Sequence, residues 1–211
     1  MPDFKRFVDA KVRLARRGAP RAASAPEPDL PPGQHRVERL PVLDLGIRPR
    51  IPLQDWRLEV TGLVARPLEL DWDDLQACPR QELRADIHCV TRWSCLGLAW
   101  EGVHPRELLA RAAPGPGATH VTLHGYDGYT TNLPLEALLA DGVLLADTLE
   151  GRPLPRDHGG PLRLVLPERY FWKSAKWLRA IEIHAGDRPG FWETRGYHND
   201  ADPWEEERFG R

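Results

Sequence analysis

Short alternations of apolar and polar positions, broken by turn residues, run along most of the chain. Trp56, Leu58 and Val60 alternate ahead of Gly62, Leu83, Ala85, Ile87 and Cys89 repeat with a period of two, and Val121 and Leu123 lead to Gly125. A period of two puts every second side chain on one face, so these stretches predict half-buried strands. Helical spacing is rarer. Pro105 to Ala113 and Pro134 to Ala140 open on prolines suited to a first helical turn. Residues 3 to 17 place Phe4, Phe7, Val8, Val12 and Leu14 at near-helical spacing among lysines and arginines, which predicts a short basic helix. The strands do not alternate with helices as a parallel βαβ sheet requires. The pattern predicts a mixed, mostly β fold of the α+β class.

Composition divides the chain further. Prolines and small residues from Pro20 to Pro32 predict an extended linker, so residues 1–34 read as a basic arm and linker and residues 35–211 as one folded domain. The arm reads as loosely docked rather than as a membrane or partner element. From Asp187 onward aromatics and charges lack periodicity, which suggests a tail that wraps over the core. Lysine and arginine number 29 against 31 acidic residues, so no global field of either sign would draw nucleic acid or an anionic membrane. No run approaches the roughly 18 apolar residues of a membrane span. Arg16-Arg17 resembles the start of an export signal, but the residues after it lack an apolar stretch, and a cytoplasmic protein is expected. Three cysteines, Cys78, Cys89 and Cys95, are too few and odd in number for a disulfide framework.

Two segments carry the residue types that chemistry needs. Cys89, in Asp86-Ile87-His88-Cys89-Val90-Thr91-Arg92-Trp93-Ser94-Cys95, stands where a predicted strand gives way to a polar turn. His88 and Arg92 would favour its thiolate, which a soft metal requires; a free cysteine is equally at home as a small buried hydrophobe. A structural zinc module built from Cys78, Cys89, Cys95 and His88 is a competing reading, although no C-x₂₋₄-C pair exists. The second segment is Asp157-His158-Gly159-Gly160-Pro161-Leu162-Arg163, followed by Tyr170-Phe171-Trp172-Lys173-Ser174-Ala175-Lys176-Trp177. Its glycines allow close backbone approach and its cations suit an anionic group such as phosphate. A solvated turn with scattered basic residues fits the same letters. Neither a P-loop nor a dinucleotide fingerprint is present.

Taken together, Cys89-Val90-Thr91-Arg92-Trp93-Ser94, Trp100-Glu101-Gly102-Val103, His158-Gly159-Gly160-Pro161-Leu162-Arg163 and Lys173-Ser174-Ala175-Lys176-Trp177 resemble, in order and spacing, the molybdopterin domain of sulfite oxidases and of bacterial sulfoxide-reducing relatives. The resemblance runs from about Leu40 to His184. It implies molybdenum and molybdopterin as cofactors, with Cys89 bonded to the metal beside the two dithiolene sulfurs of one pterin. It further implies that His158 and Arg163 contact the pterin and its phosphate, and that Ser174, Ala175 and Lys176 close the phosphate pocket. Leu43, Asp44 and Gly125 fall at further cofactor contacts. Cys95 and Cys78 read as packing residues.

The resemblance implies oxygen-atom transfer between a small-molecule substrate and water. The run after Cys89 holds one arginine, Arg92, followed by Trp93 rather than a basic cluster, which argues against efficient sulfite oxidation. Trp93, Tyr126, Tyr129, Tyr170 and Trp172 would instead line an aromatic pocket for an uncharged sulfoxide or N-oxide, unless they are simply core. Arg92, His124 and Tyr170 are the expected substrate or metal-side contacts. Neither a haem-binding segment before residue 35 nor an immunoglobulin-like one after residue 190 is seen, so a monomer served by a separate electron-transfer partner is expected. The rival from another class is a cofactor-binding protein of the same fold without turnover.

Overall fold

The computed structural model describes residues 2–17 and 29–210. Most of the expected linker and the segment after Arg17 lie outside the described residues. In chain order the elements are α1 (Pro2–Arg17), β1 (His35–Arg36), β2 (Leu58–Gly62), β3 (Leu68–Leu70), α2 (Trp72–Gln76), β4 (Arg80–His88), β5 (Trp93–Val103), α3 (Pro105–Ala112), β6 (His120–Gly125), β7 (Thr130–Pro134), α4 (Leu135–Leu139), β8 (Leu144–Leu149), β9 (Arg152–Pro153), β10 (Arg163–Val165) and β11 (Leu178–His184). They form a mixed, mostly β α+β fold. None of the described helices is long and apolar enough to cross a membrane.

Two sheets carry the structure. The first runs β1-β5-β8-β10, with β4 also paired to β5 and β9 to β8; the second runs β3-β2-β11-β6-β7. Period-two alternation shows directly in their packing. Leu145 and Leu164 enter a central core with Leu58, Val60, Val121, Leu123, Ile181 and Ile183. Their neighbours Leu144, Ala146 and Val165 point the other way, into a second core with Ile87, Cys89, Trp93, Tyr170, Trp172 and Tyr197. The first sheet is therefore covered on both faces, and the second core includes the C-terminal residues Tyr197 and Ala201.

The ends of the elements differ from expectation in instructive ways. Trp56 stands outside β2, as the residue that closes a short 3-10 turn, and Cys89 lies one residue beyond β4. α3 stops at Ala112 because Ala113 takes up a left-handed conformation (φ 53°) that ends the hydrogen-bonded ladder. Pro134 precedes α4 rather than opening it, and Ala140 is already extended. The arm is seated rather than loose: Val8 and Ala15, on one face of α1, are 3% and 1% exposed.

Candidate active site

Cys89 is placed by a tight turn between β4 and β5. The amide of Arg92 donates to the Cys89 carbonyl (2.9 Å), the Cys89 amide donates to Trp93 O (2.9 Å), and His88 pairs with Ser94 across the ladder. Two distant side chains clamp this turn from outside. Gln34 Nε2 donates to Cys89 O (3.1 Å), while Arg208 donates through Nη1 to Val90 O (3.0 Å) and through Nη2 to Pro32 O (2.9 Å). Cys89 is 6% exposed, and its sulfur accepts a hydrogen bond from Thr91 Oγ1 at 3.1 Å. Burial pushes the Cys89 thiol up, against the Thr91 hydrogen bond and the charge of Arg208. The expected help from His88 and Arg92 is not what the structure provides. His88 is tied to Ser94 Oγ (2.8 Å), and burial holds its ring below the usual histidine range.

A basic cluster comes from the two loops around β10. The amide of Trp177 donates to Gly159 O (3.0 Å), Leu164 to Ala175 O (2.9 Å) and Leu178 to Leu162 O (2.8 Å), so the His158 loop and the Lys176 loop are laced together. Gly159 is what lets them meet: its φ is +108°, and a Cβ there would lie 2.9 Å from Lys176 Cβ. Arg163 is fully buried. Three of its five donors go to the carbonyls of Leu164, His158 and Ser174, and its guanidinium lies 4.0 Å from the Phe171 ring centroid. Burial brings Arg163 down to about 9. Lys176 falls to about 7, through burial first and then the charge of Arg163, against the pull of Asp44 and Asp127. Burial and the charges of Arg163 and Lys176 hold His158 down as well. Burial pushes Asp44 up, but hydrogen bonds from Gly46 and Arg48 and the nearby Lys176 outweigh it and leave the carboxyl below its ordinary value.

Both groups face one cavity. Of the expected site residues, Cys89, Leu43, Asp44, His158, Arg163, Ser174 and Lys176 line it. Ala175, Gly125, Arg92, His124 and Tyr170 do not. Ala175 is 1% exposed and supplies its carbonyl to Leu164. Gly125 acts by proximity, since a Cβ there would meet Asp127 Oδ1 and, at 2.8 Å, Lys176 O. Arg92 takes a left-handed conformation (φ 74°), and its Nη1 reaches the neighbourhood of Gly33 instead of the cavity. His124 alternates with the buried Leu123 and pairs across the other face with Glu182 (3.1 Å). Tyr170 is fully buried and stacked on Trp172, with ring centroids 5.3 Å apart. Of the five expected pocket aromatics, Trp93, Tyr129 and Trp172 line the cavity and Tyr126 and Tyr170 do not.

The sequence reading did not single out Lys11, Thr91, Asp127, Trp192 or Tyr197 as site residues, yet all line the cavity. Tyr197 packs on Trp172 and Trp192, at 5.0 and 4.9 Å between ring centroids. Burial and then the charge of Cys89 push its phenol up, so it stays protonated. The wall behind this aromatic group is ionic. Lys173, expected near a phosphate, instead points away and pairs with Glu193 (2.8 Å), both side chains almost fully buried, while also donating to Asn132 O (2.9 Å). Glu193 Oε1 accepts from Trp172 Nε1 (3.0 Å), and its Oε2 is buried without a partner. Breaking such a pair strands a buried charge. Lys173→Met is therefore expected to lower unfolding stability by roughly 3 to 5 kcal/mol in urea titrations; a loss below about 1 kcal/mol would contradict this placement.

The zinc reading fails on geometry. Among the described residues only His198, Asp200 and Glu207 converge as three potential ligands. Cys78 sits in the central core, while Cys89 and Cys95 sit in the other.

A buried sulfur at a strand turn, sharing a cavity with cations whose charged forms burial disfavours, suits a metal cofactor with an anionic tail. The chain belongs to the family described as oxidoreductase molybdopterin binding domain, matched over residues 45–192, and so to the sulfite oxidase type of cofactor domain. It is 46% identical over 181 residues to the uncharacterized oxidoreductase YuiH of Bacillus subtilis (strain 168), covering 85% of this chain and 91% of that one. It is 34% identical over 155 residues to the protein-methionine-sulfoxide reductase catalytic subunit MsrP of Gluconobacter oxydans (strain 621H), covering 65% of this chain and 49% of that one. Among solved structures, the sulfane dehydrogenase SoxCD from Paracoccus pantotrophus matches with a TM-score of 0.60 and 27% identity, over 66% of this chain and 40% of that one. The chain thus spans about half the length of the sulfoxide reductase subunit. It is a molybdopterin-dependent oxidoreductase.

The residues present fit that cofactor. The donor set supplies one soft ligand, Cys89, in a wall of aromatics, and separately His158, Arg163 and Lys176 for a phosphate. Asp44 and Asp127 add acceptors suited to the N–H groups of a pterin ring. The glycine at position 159 leaves the close approach of the two loops open, where any Cβ would press on Lys176.

Proposed function

We propose that this oxidoreductase reduces an uncharged, sulfoxide-like substrate, with Cys89 as the protein's ligand to molybdenum. When bound, the molybdenum cofactor supplies the two-electron redox change and exchanges the oxygen atom. The net reaction takes a sulfoxide, two electrons and two protons to a sulfide and water. The protein's residues hold, orient and shield. Lys176, His158 and Arg163 bind the phosphate, Ser174 is fixed against the Leu166 amide (3.0 Å) at the same wall, and Trp93, Trp172 and Trp192 keep water from the Cys89 end.

One observation carries the choice of substrate. Around Cys89 the cavity is aromatic, Arg92 points elsewhere, and Tyr197 offers a neutral hydroxyl on which, among the described residues, no hydrogen bond is spent. A largely aromatic wall whose hydroxyl and indole N–H groups are neutral donors suits an S=O oxygen better than the full charge of sulfite. The relative named as a methionine-sulfoxide reductase supports the same direction. With reduced methyl viologen as donor, turnover of dimethyl sulfoxide or methionine sulfoxide is expected to exceed oxidation of sulfite by ferricyanide. Tyr197→Phe is expected to lower kcat/KM for the sulfoxide by about three- to tenfold, the worth of one neutral hydrogen bond, with metal content unchanged. Faster sulfite oxidation, or no effect of Tyr197→Phe, sinks the assignment.

We further propose that electrons reach the site from a separate protein, that the chain works as a monomer, and that it resides in the cytoplasm. The relative named as a catalytic subunit supports the first. Three free and buried cysteines suit the reducing compartment.

A further inference from the structure

Helix α1 precedes the segment 45–192 that defines the family, yet it supplies part of the cavity wall: Lys11 and Leu14, three residues apart on one helix face, line it together with Cys89, Thr91 and Trp192. The placement of Lys11 is unusual for an amphipathic basic helix. Lys5, Arg6, Arg13 and Arg17 are exposed, whereas Lys11 is drawn inward on the side where Val8 and Ala15 are buried. Among the described residues its ammonium lies over the Phe7 ring at 4.8 Å, with no carboxylate within 4 Å. An inward cation that lies on an aromatic face and feels Asp44 without a close ion pair is available to an anion.

Besides the burial of Ala15 in the second core, the helix is fastened by contacts to residues outside the strands of both sheets. Phe4 meets Phe191 edge-on at 6.5 Å, Arg16 lies 5.4 Å from the Phe209 ring centroid, and Phe7 rests on Gly46, where a Cβ would be 3.7 Å from its ring. Each of these partners is a loop residue.

We infer that α1 is a lid that closes the cavity over the bound cofactor, and that Lys11 is a cofactor-binding residue contacting its anionic part. The inference rests on membership of the molybdopterin family and not on the identity of the substrate. Closure by α1 slows escape of the cofactor, and the Lys11 contact makes closure more favourable when the cofactor is in place.

The test uses the holoenzyme and follows release of pterin, read as fluorescence after oxidation, during dialysis. Initial pterin content of the wild type is measured first, so that a protein without cofactor is distinguished from one with a faulty lid. Lys11→Met keeps the length of the side chain and removes its charge; release is expected to quicken about tenfold, the order of one charge-assisted hydrogen bond. Ala15→Arg overfills a site that is 1% exposed and unseats the helix; release is expected to quicken at least as much. Trypsin is expected to cut α1 of the wild type faster after the cofactor has been removed than before. Release from Lys11→Met at the wild-type rate overturns the role of Lys11. Release from Ala15→Arg at the wild-type rate, or equal tryptic cutting with and without cofactor, overturns the lid.

Discussion

A Cys89→Ser enzyme is expected to keep its fold and lose its turnover. The change removes no carbon atom, and the turn is held by backbone amides, Gln34 and Arg208 rather than by the sulfur. Stability should therefore shift by less than about 1 kcal/mol. Catalysis should fall by more than roughly 100-fold, because outer groups that merely orient a ligand already cost ~10- to 100-fold. Burial holds the Cys89 thiol above its ordinary value, so the thiol is protonated without metal and gives up its proton when a soft cation binds. A serine hydroxyl is harder and less acidic, so it would give the metal an oxygen in place of the sulfur or no protein ligand at all. Steady-state assays beside urea titrations separate the two expectations: a variant as active as the wild type, or one that fails to fold, contradicts them.

Lys176→Met is expected to trade cofactor retention for stability. The cavity holds Lys176 at about 7, chiefly by burial and by the charge of Arg163. Between about 7 and its unfolded value of 10.5 the unfolded chain binds a proton that the folded chain has lost, so the wild-type apoprotein gains stability as pH rises through that window. At and below neutral pH the buried charge is a burden, and methionine removes it. The apo variant should be more stable than the wild type at pH 6, and its stability should lack the rise above pH 7. A bound phosphate needs the ammonium form. Pterin retained by the wild type should therefore weaken as pH rises above 7, by up to about tenfold per unit. In the variant retention should drop about 10- to 100-fold at pH 6, matching a charge-assisted bond of roughly 1.5 to 3 kcal/mol. Pterin content after dialysis at pH 6 and pH 9 decides the matter, and equal retention at both by the wild type would refute the role of Lys176.

The parts of this site that the sequence made legible are the local ones. Leu83, Ala85 and Ile87 announce β4 and thereby put Cys89 at a strand end, and the glycines beside His158 announce a loop of close approach. The same period-two rule, applied to β6, puts His124 opposite Leu123 and away from the central core. That alternation is what keeps His124 from the cavity. Arg92 misled for a different reason: its left-handed φ turns the side chain outward, and nothing in the letters Val-Thr-Arg-Trp reveals a backbone sign. Lys173 and Lys176 show the limit most clearly. They differ only in position within one short motif, yet one is sealed against Glu193 and the other opens on the cavity. Lys11, Asp127 and Tyr197 reach the site from segments far apart in the chain. Only the packing of the second core and the docking of α1 bring them to Cys89.

The most direct measurement is X-ray absorption at the molybdenum edge on the purified holoenzyme and on Cys89→Ser. Three sulfur neighbours in the first and two in the second are expected, the missing one being the cysteine sulfur. Two in both, or three in both, would place the protein's ligand elsewhere and contradict the reading of Cys89.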